Sequence, residues 1–404
     1  MNQIKANGII MMSWKISRST IGIVLLCLSF YEFSIIPHFL FLVVKYSIIL
    51  YLLLLHLKEC KKNDKILAAI LLYGGITFIA TLLYQDAFNR LISSFVYMVH
   101  ILTIYVTITS FVRCHGVKQL IELLIKILLV LVCMTDIAML FISYNFSSPS
   151  EIYLIGDKFA VSYLHCFITG LLFCINIENK RKNLFFILIR ISFLIFSILI
   201  CRKVTCTTGI LICILMGLLS CFPIPLSFKK LLSSPKIIIL IIMLINLLVL
   251  GSESLLTNPF IANFISNVLG KSTTWIGRLR IYAMIFDVIK VHPWIGYGYY
   301  SDIIEDILGF GNAQNGVLKI VIDSGILGLI GYAILLYESL NKKVSKKYWS
   351  LIVFIYCMII ASIAEINLTD YLVFLTISIV YSFGKFEVDY NNKSLSIEKK
   401  ECHN

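Results

Sequence analysis

The sequence predicts an all-α polytopic integral membrane protein, and two features of its composition carry that prediction. Of the 404 residues, 59% are hydrophobic and only 14% are charged, against roughly 45–50% and roughly 25% in soluble domains. A disordered chain needs low hydrophobicity and a disulfide scaffold needs a short, cysteine-dense chain, so both classes are excluded. A spanning helix takes about 20 apolar residues, which leaves room for about a dozen spans. We expect one membrane domain over residues 1–404.

Twelve apolar stretches of span length follow one another along the chain. The basic N-terminus runs into the first stretch without a small-residue cleavage pattern, so we expect a retained span and not a removed signal peptide. The predicted spans are 19–36, 38–57, 66–84, 91–112, 120–143, 159–177, 184–200, 204–222, 236–251, 316–337, 349–364 and 370–384.

Lysine and arginine indicate how these spans are oriented. With the N-terminus in the cytoplasm, 23 of the 35 basic residues fall in inner segments and eight fall in outer ones. Most of the formal net charge of +13 is therefore an orientation signal, and we expect no nucleic-acid partner. Both termini are then cytoplasmic, and residues 385–404 form a cytoplasmic tail.

The positions of the cysteines in the sequence give no sign of metal binding or of disulfide bonds. Most of the twelve cysteines lie within apolar runs, where a thiol behaves as a small hydrophobic group. No C-x-x-C pair occurs. The sequence therefore predicts neither a metal site nor a disulfide framework.

One connection is far longer than the others. Residues 252–315 form an outer loop between the ninth and tenth spans, and its content of Ile, Phe, Trp and Tyr predicts a folded segment. Within it, 276–290 has the pattern of an amphipathic helix. Arg280 lies on the polar face of this helix, whereas Arg278 projects from the apolar arc near the N-terminus. Arg278 either snorkels to lipid headgroups or binds a phosphate in a cavity.

An aromatic turn, residues 292–300, follows this helix and contains two glycines. Its rings fit either an interfacial belt or a sugar-binding wall, and the sequence leaves both open. Three carboxylates come next, and they form either a solvated helix face or the source of a general base. The substrate-binding candidates in this stretch are Arg280, His292, Trp294, Tyr297 and Asp302, and the other two carboxylates are Glu305 and Asp306.

A second outer basic pair, Arg202-Lys203, lies between the seventh and eighth spans. It either anchors to headgroups or, together with Arg278, clamps a pyrophosphate. Charges within predicted spans are costly and are therefore further candidates. Those that would line a transport pathway are Lys45, Asp136 and Arg190.

Four motifs resemble the signature of the O-antigen ligase and polymerase family, Wzy-type. They are Gly277-Arg278-Leu279, the aromatic turn, an asparagine before a span (Asn315) and the stretch 323–328, DSGILG. The resemblance covers residues 200–335. It implies a GT-C-like membrane glycosyltransferase that joins undecaprenyl-pyrophosphate-linked repeat units on the outer side of a bacterial plasma membrane.

The resemblance also implies site residues. Arg278 and Arg202 match arginines that hold the donor phosphates, and Asn315 precedes the tenth span. Gln314 stands where ligases and many relatives have histidine, and glutamine cannot take a proton, which favours the polymerase branch. The catalytic candidates are thus Arg278, Arg202, Gln314 and Asn315, with Lys203 as a substrate-binding candidate. No cofactor and no metal are implied, and a chain-length regulator and a flippase are expected as partners.

Three functions remain open at this point. A polymerase extends the chain by repeat units, whereas a ligase transfers finished polymer to another acceptor. A flippase or transporter would place its polar residues near the membrane midplane. The unusual features of this chain concentrate in an outer loop, which favours an enzyme, and the base among Asp302, Glu305, Asp306 and Asp323 stays unassigned.

Overall fold

The computed structural model is all-helical over the residues that it describes, which are 18–56, 64–142, 144–146, 151–175, 180–222, 224–250, 272–341 and 348–401. No strand occurs in these ranges, where Tyr153 and Gly156 form an isolated β-bridge. The helices described are α1 (Arg18–Leu28), α2 (His38–His56), α3 (Lys65–Tyr84), α4 (Phe88–His115), α5 (Val117–Phe141), α6 (Lys158–Cys174), α7 (Lys180–Lys203), α8 (Thr207–Cys221), α9 (Leu226–Leu232), α10 (Pro235–Leu250), α11 (Ser272–Val291), α12 (Ile303–Leu308), α13 (Gly316–Leu340), α14 (Trp349–Ala361), a 3₁₀ helix (Asn367–Thr369) and α15 (Tyr371–Glu401).

Every predicted span falls on a helix, but the helices differ in length. Among the described residues, six are long and apolar enough to cross a membrane, namely α2, α3, α4, α5, α7 and α13. Helices α9 and α10 together form a seventh candidate, bent by 66°. The other predicted spans fall on apolar helices of 10–17 residues: α1, α6, α8, α14 and the first half of α15. The fold is consistent with a polytopic membrane protein, and the count of twelve spans stays a prediction.

The first predicted span, 19–36, is shorter as a helix than expected, because α1 ends at Leu28. The hydroxyl of Ser29 donates to the carbonyl of Leu26 at 2.7 Å, and such local bonds compete with helix continuation. Pro37 then precedes α2, and proline restricts the residue before it to extended conformations. These two residues separate α1 from α2.

An aspartate and an asparagine cap the N-termini of two helices on the predicted outer side. Asp157 caps α6 by accepting hydrogen bonds from the amides of Phe159 and Ala160. Asn315 caps α13 in the same way, through the amides of Val317 and Leu318. Such caps satisfy amide groups that have no partner within the helix.

Most of the described helices pack around one large apolar core. One group centres on α3, which packs against α4 and α13, while α2 and α15 pack on α4. The second group contains α5, α6, α7, α8 and α14. A separate small core joins α11 and α12 to the start of α13, through side chains such as Ile285, Leu308 and Leu318. The described part of the long outer loop is therefore packed onto the N-terminal half of α13.

Candidate active site

A cavity of about 510 Å³ opens where α2, α3, α4, α6 and α13 meet the segment that precedes α15. We call it the large cavity, and its volume lies in the range of ligand sites. Its lining contains eight aromatic side chains, four carboxylates and two lysines. The lining residues are Phe30, Lys45, Tyr73, Tyr97, Asp157, Phe159, Ala160, Tyr163, Tyr299, Tyr300, Asn312, Lys319, Asp323, Glu365, Ile366, Asn367, Thr369, Asp370 and Tyr371.

The aromatic turn supplies one wall of this cavity, and α3 holds the turn in place. The Gln85 side-chain amide donates to the carbonyls of Tyr297 (3.1 Å) and Tyr299 (3.0 Å). The amide of Tyr299 donates to the Thr81 hydroxyl at 2.8 Å. Gly298 has φ +94°, and a Cβ there would lie 2.6 Å from the Cα of Thr81. Glycine is therefore required where the turn meets α3.

The other side of the turn docks into a break in α13. Gly325 has φ +64° and ψ −167°, so the helix is interrupted at this residue. The amides of Ile326 and Leu327, which the break leaves without intrahelical partners, donate to the carbonyls of Pro293 (2.9 Å) and Trp294 (3.0 Å). In return the amide of Gly298 donates to the carbonyl of Asp323 at 3.1 Å. Tyr299 and Tyr300 are thereby fixed beside the residues that precede the break.

A buried ion pair lies beneath this wall. Lys319 and Asp323 stand one turn apart on α13, with 2.8 Å between Nζ and Oδ1, and they are 7% and 5% exposed. The Lys319 Nζ also lies 4.3 Å from the centre of the Tyr300 ring. A buried charge is tolerated when it is paired, and the cation–aromatic contact adds further stabilisation. The pair thus holds an ammonium group at the cavity wall.

Lys45 brings a second cation to the cavity from α2. Its Nζ lies 5.1 Å from the centre of the Tyr371 ring and 5.7 Å from that of Phe41. The Tyr371 ring stacks on Phe30 at 5.9 Å. A cation within about 6 Å of an aromatic face is attracted by the ring, so the aromatic lining positions Lys45.

Asp370 is a carboxylate of the cavity lining whose pKa is raised by its surroundings. It lies outside α15, and its Oδ1 accepts a hydrogen bond from the amide of Leu372 at 2.7 Å. Burial raises the pKa of Asp370 to about 6, the Leu372 amide opposes this rise, and the nearby charge of Asp157 adds to it. A carboxyl group with a pKa near neutrality is suited to general acid–base chemistry.

Two predicted catalytic residues, Gln314 and Asn315, lie outside the lining of the large cavity. Asn315 is 1% exposed and its side-chain groups have partners, because Oδ1 caps α13 and Nδ2 donates to the Oδ1 of Asn246 at 2.9 Å. Gln314 has φ +51°. Its backbone amide donates to the Oδ1 of Asn312, and its backbone carbonyl accepts a hydrogen bond from the hydroxyl of Tyr282. The structure thus gives Asn315 a capping role, and a catalytic role for either residue stays a prediction.

The predicted substrate-binding residues in and just after the aromatic turn lie outside the lining of the large cavity. Tyr297 is 8% exposed, and its hydroxyl donates to the carbonyl of Val288 at 2.6 Å. The His292 ring packs 4.1 Å from that of Tyr84. Trp294 is 63% exposed. Asp302 pairs with Arg90 and lines a neighbouring cavity of about 90 Å³, which shares Lys319 and Tyr300 with the large one.

The predicted phosphate clamp is described only in part. Arg278 and Arg280 stand on α11, which covers the predicted helix 276–290, and their side chains lie outside the described residues. Arg202 is exposed at the end of α7. The Nζ of Lys203 lies 5.0 Å from the Phe146 ring and donates to the carbonyl of Met139 at 3.4 Å.

The three charges proposed to line a transport pathway do not share one cavity in the described part of the chain. Lys45 lines the large cavity. Asp136 contacts His165, at 3.3 Å between Oδ1 and Nε2. Arg190 donates to the carbonyl of Ile175. Of these, only Lys45 belongs to the candidate site.

Sequence reasoning missed most of the cavity. Lys319 lies within the predicted tenth span, 316–337, so the rule that singled out Lys45 applied to it equally. Asp157, Glu365 and Asp370 gave no such signal, because they stand at helix ends where aspartate and glutamate are common. Only the fold brings them together.

Residues 160–333 match the family model described as O-antigen ligase. Neither the search of curated proteins nor the search of solved structures returned a match. The matched range contains the aromatic turn, the ion pair of α13 and the motifs that suggested the resemblance. Residues 160–333 are therefore similar to an O-antigen ligase domain, and this match supports the O-antigen ligase/polymerase family.

Proposed function

We propose that this protein is a polysaccharide polymerase that joins undecaprenyl-pyrophosphate-linked oligosaccharide repeat units on the outer face of the membrane. The family indicates an O-antigen ligase- or polymerase-type enzyme with a lipid-linked oligosaccharide substrate at a membrane. The large cavity carries the proposal, and its product would be a capsule, an O-antigen or a similar surface polymer.

The lining of the large cavity suits sugar rings. Tyr300 is 56% exposed and packs edge to face on Tyr299, with 4.7 Å between ring centres, so its ring offers an apolar surface for the C–H side of a sugar. Carboxylates and the side chains of Asn312 and Asn367 provide acceptors and donors for hydroxyl groups. At about 510 Å³ the cavity has room for a few sugar rings.

The position of the cavity supports outer-face chemistry. Most of its walls come from the segment after α1, from the N-terminal halves of α2, α4, α6 and α13 and from the loop before α15, while Tyr73 contributes from the middle of α3. The distribution of lysine and arginine predicts that the segment after α1, the starts of α2, α4, α6 and α13, and the loop before α15 face outward. Lipid-linked units presented on the outer leaflet would reach the cavity from that side.

We assign the chemistry as follows. Asp370 takes the proton of an acceptor hydroxyl, whose oxygen attacks the anomeric carbon of a second lipid-linked unit. The bond from that carbon to the pyrophosphate oxygen breaks, and the pyrophosphate leaves on its lipid. Arg278 and Arg202 stabilise the charge that develops on the leaving group, and Lys45 adds a cation on the cavity side. A chain-length regulator and a flippase are proposed partners.

Polymerase and ligase activities share these residues and differ in the product. Gln314 favours the polymerase, because it has no titratable group at the position where the resemblance expects histidine. The cavity offers an alternative proton acceptor in Asp370. A single transfer to an acceptor that is not lipid-linked would instead identify a ligase.

Reconstitution tests the proposal. The purified protein in lipid vesicles is given one lipid-linked repeat unit, and the products are separated by length. We expect a ladder that grows by single repeat units, and its absence with every lipid-linked unit tried would overturn the polymerase assignment. Arg278→Ala and Asp370→Asn should abolish the ladder. Asp287→Asn is the matched control, since Asp287 is exposed and pairs only with Lys290 among the described contacts.

A further inference from the structure

Three cysteines from three helices converge in the interior of the second helix group. Cys166 of α6, Cys201 of α7 and Cys213 of α8 are fully buried, and their Sγ atoms all lie within 4.8 Å of one another. The Sγ atoms of Cys166 and Cys213 are 3.2 Å apart. We call these residues the thiol cluster. Their wide spacing in sequence hides the cluster from motif searches, which look for C-x-x-C patterns.

The cluster has the dimensions of a metal site. Three atoms that are mutually within 4.8 Å can all be reached from one point at about 2.8 Å or less, and zinc–sulfur bonds are about 2.3 Å long. Closing that gap takes side-chain adjustments of about half an ångström. Thiolate sulfur is the ligand that selects soft cations such as Cu⁺ and Zn²⁺.

A fourth donor stands beside the cluster. Ser162 lies one turn before Cys166 on α6, its side chain is fully buried, and its hydroxyl faces the thiols of Cys201 and Cys206. It is close to Cys201, because a Cβ added at Gly209 would lie 3.1 Å from the Ser162 Oγ and 3.0 Å from the Cys201 Sγ.

Gly209 keeps this space open. A Cβ at this position would also lie 2.6 Å from the Cβ of Ser162, which is closer than real side chains approach. The absence of a side chain therefore lets α8 approach α6 at the level of the cluster, and it leaves the thiols and the hydroxyl facing one another.

We propose that Cys166, Cys201 and Cys213 bind one thiophilic cation, Zn²⁺ or Cu⁺, with the Ser162 hydroxyl as a fourth, neutral donor. On binding, the three thiols release three protons to solvent and become thiolates, and no electron is transferred. The proposal is independent of the polymerase assignment, because the cluster lies outside the large cavity.

A Cys166–Cys213 disulfide is the competing arrangement. It would use the 3.2 Å contact between Cys166 and Cys213 but would leave the third thiol, Cys201, outside the bond. A metal ion uses all three thiols, which is why the geometry favours it.

The bound cation would tie α6, α7 and α8 together near the turn that carries Arg202. Because only the folded chain presents all three thiols, binding stabilises the fold. We expect the loaded protein to unfold at a higher temperature than the metal-free protein.

Metal content tests the proposal directly. The full chain, purified in detergent and stripped with a chelator, is incubated with Zn²⁺ or with Cu⁺ under reducing conditions, and excess metal is removed. We expect one ion per chain for one of the two metals, no retained ion in Cys201→Ser, and full retention in Cys27→Ser, a buried cysteine of α1 outside the cluster. Retention of no ion by the wild-type chain would overturn the proposal.

A second measurement does not depend on variants that fold poorly. Alkylation of the wild-type chain at increasing temperature, followed by peptide mass analysis, should show that bound metal raises the temperature at which Cys166, Cys201 and Cys213 become labelled, because these buried thiols are reached only as the fold opens. Equal alkylation with and without metal would contradict the site. A Cys166–Cys213 disulfide in the protein as isolated, re-formed after reduction in preference to metal binding, would assign the pair to the competing arrangement.

Discussion

Asp370 shows how one side chain can set the pH dependence of the reaction. Burial raises its pKa to about 6, so the carboxylate that accepts a proton exists mainly above that pH. We expect the initial rate of chain extension to rise as the pH increases through about 6. Asp370→Asn should lower the rate by about 10²–10⁴-fold, the usual contribution of a general base. A pH series of initial rates for both proteins checks this.

The control for this prediction is Asp287→Asn, which removes an exposed carboxylate of α11. This variant should extend chains at the wild-type rate and show the same fall in rate below about pH 6. If Asp370→Asn instead kept the full rate and the same fall in rate below about pH 6, Asp370 would not be the base. Asp323 would then be the next candidate in the cavity lining.

The Lys319–Asp323 ion pair predicts a large loss of stability when one partner is removed. Both side chains are buried, so Lys319→Met leaves the Asp323 carboxylate without its counter-charge. Breaking a buried pair in this way costs about 3–5 kcal/mol. Thermal unfolding in detergent measures the loss, and Lys319→Met combined with Asp323→Leu should recover part of it. A double variant no more stable than the single one would show that the pair is not the source of the effect.

The break in α13 is the element on which the aromatic turn depends. Gly325 combines φ +64° with ψ −167°, and a Cβ there would lie 2.3 Å from the carbonyl of Trp294. This backbone region is essentially restricted to glycine. Gly325→Ala should therefore lower the free energy of unfolding by about 2–4 kcal/mol. It should also weaken activity, because Tyr299 and Tyr300 are positioned through this junction.

Gly75→Ala is the matched control for the break. Gly75 lies within α3 and a Cβ there would meet nothing within 4 Å. Alanine in a regular helix is about 0.5–1 kcal/mol more stable than glycine. Equal effects of the two substitutions on unfolding would refute the account of the junction.

At the scale of elements, the sequence was informative wherever the signal is local. The apolar stretches located a helix for every predicted span, and 276–290 falls within α11. The early end of α1 at Leu28 was missed, because the apolar run continues while Ser29 and Pro37 act on the backbone. The contact between the aromatic turn and α13 was also missed. The sequence predicts an uninterrupted span over 316–337, in which Gly325 is only a small residue that allows close helix packing.

At the scale of the whole molecule, the charge distribution predicts that both termini are cytoplasmic. Most lysines and arginines lie in the segments that this orientation places inside. A reporter that is active only in the cytoplasm should therefore function when fused after residue 404, and one that is active only outside should function when inserted in the loop before α6. The reverse pattern would place the large cavity on the inner side and would remove it from the proposed reaction.

The large cavity is also a property of the whole molecule. Its charged groups run from Lys45 on α2 to Asp370 before α15, and no local pattern links them. The resemblance pointed to the O-antigen ligase match and to the region of the chain that carries it. It pointed to Asn315 and to the aromatic turn, whose positions in the fold are a helix cap and a scaffold that carries Tyr299 and Tyr300. The cavity itself became visible only when helices distant in sequence were brought together.

Photo-crosslinking tests most directly whether the large cavity is the sugar site. A lipid-linked repeat unit with a photoreactive group on its sugar is bound to the purified protein and irradiated, and the labelled peptides are identified by mass analysis. We predict labelling around Tyr299 and Tyr300 and in the segment 365–371, and we predict that unlabelled lipid-linked unit competes it away. Labelling confined to other helices, with these two segments free of label, would contradict the account.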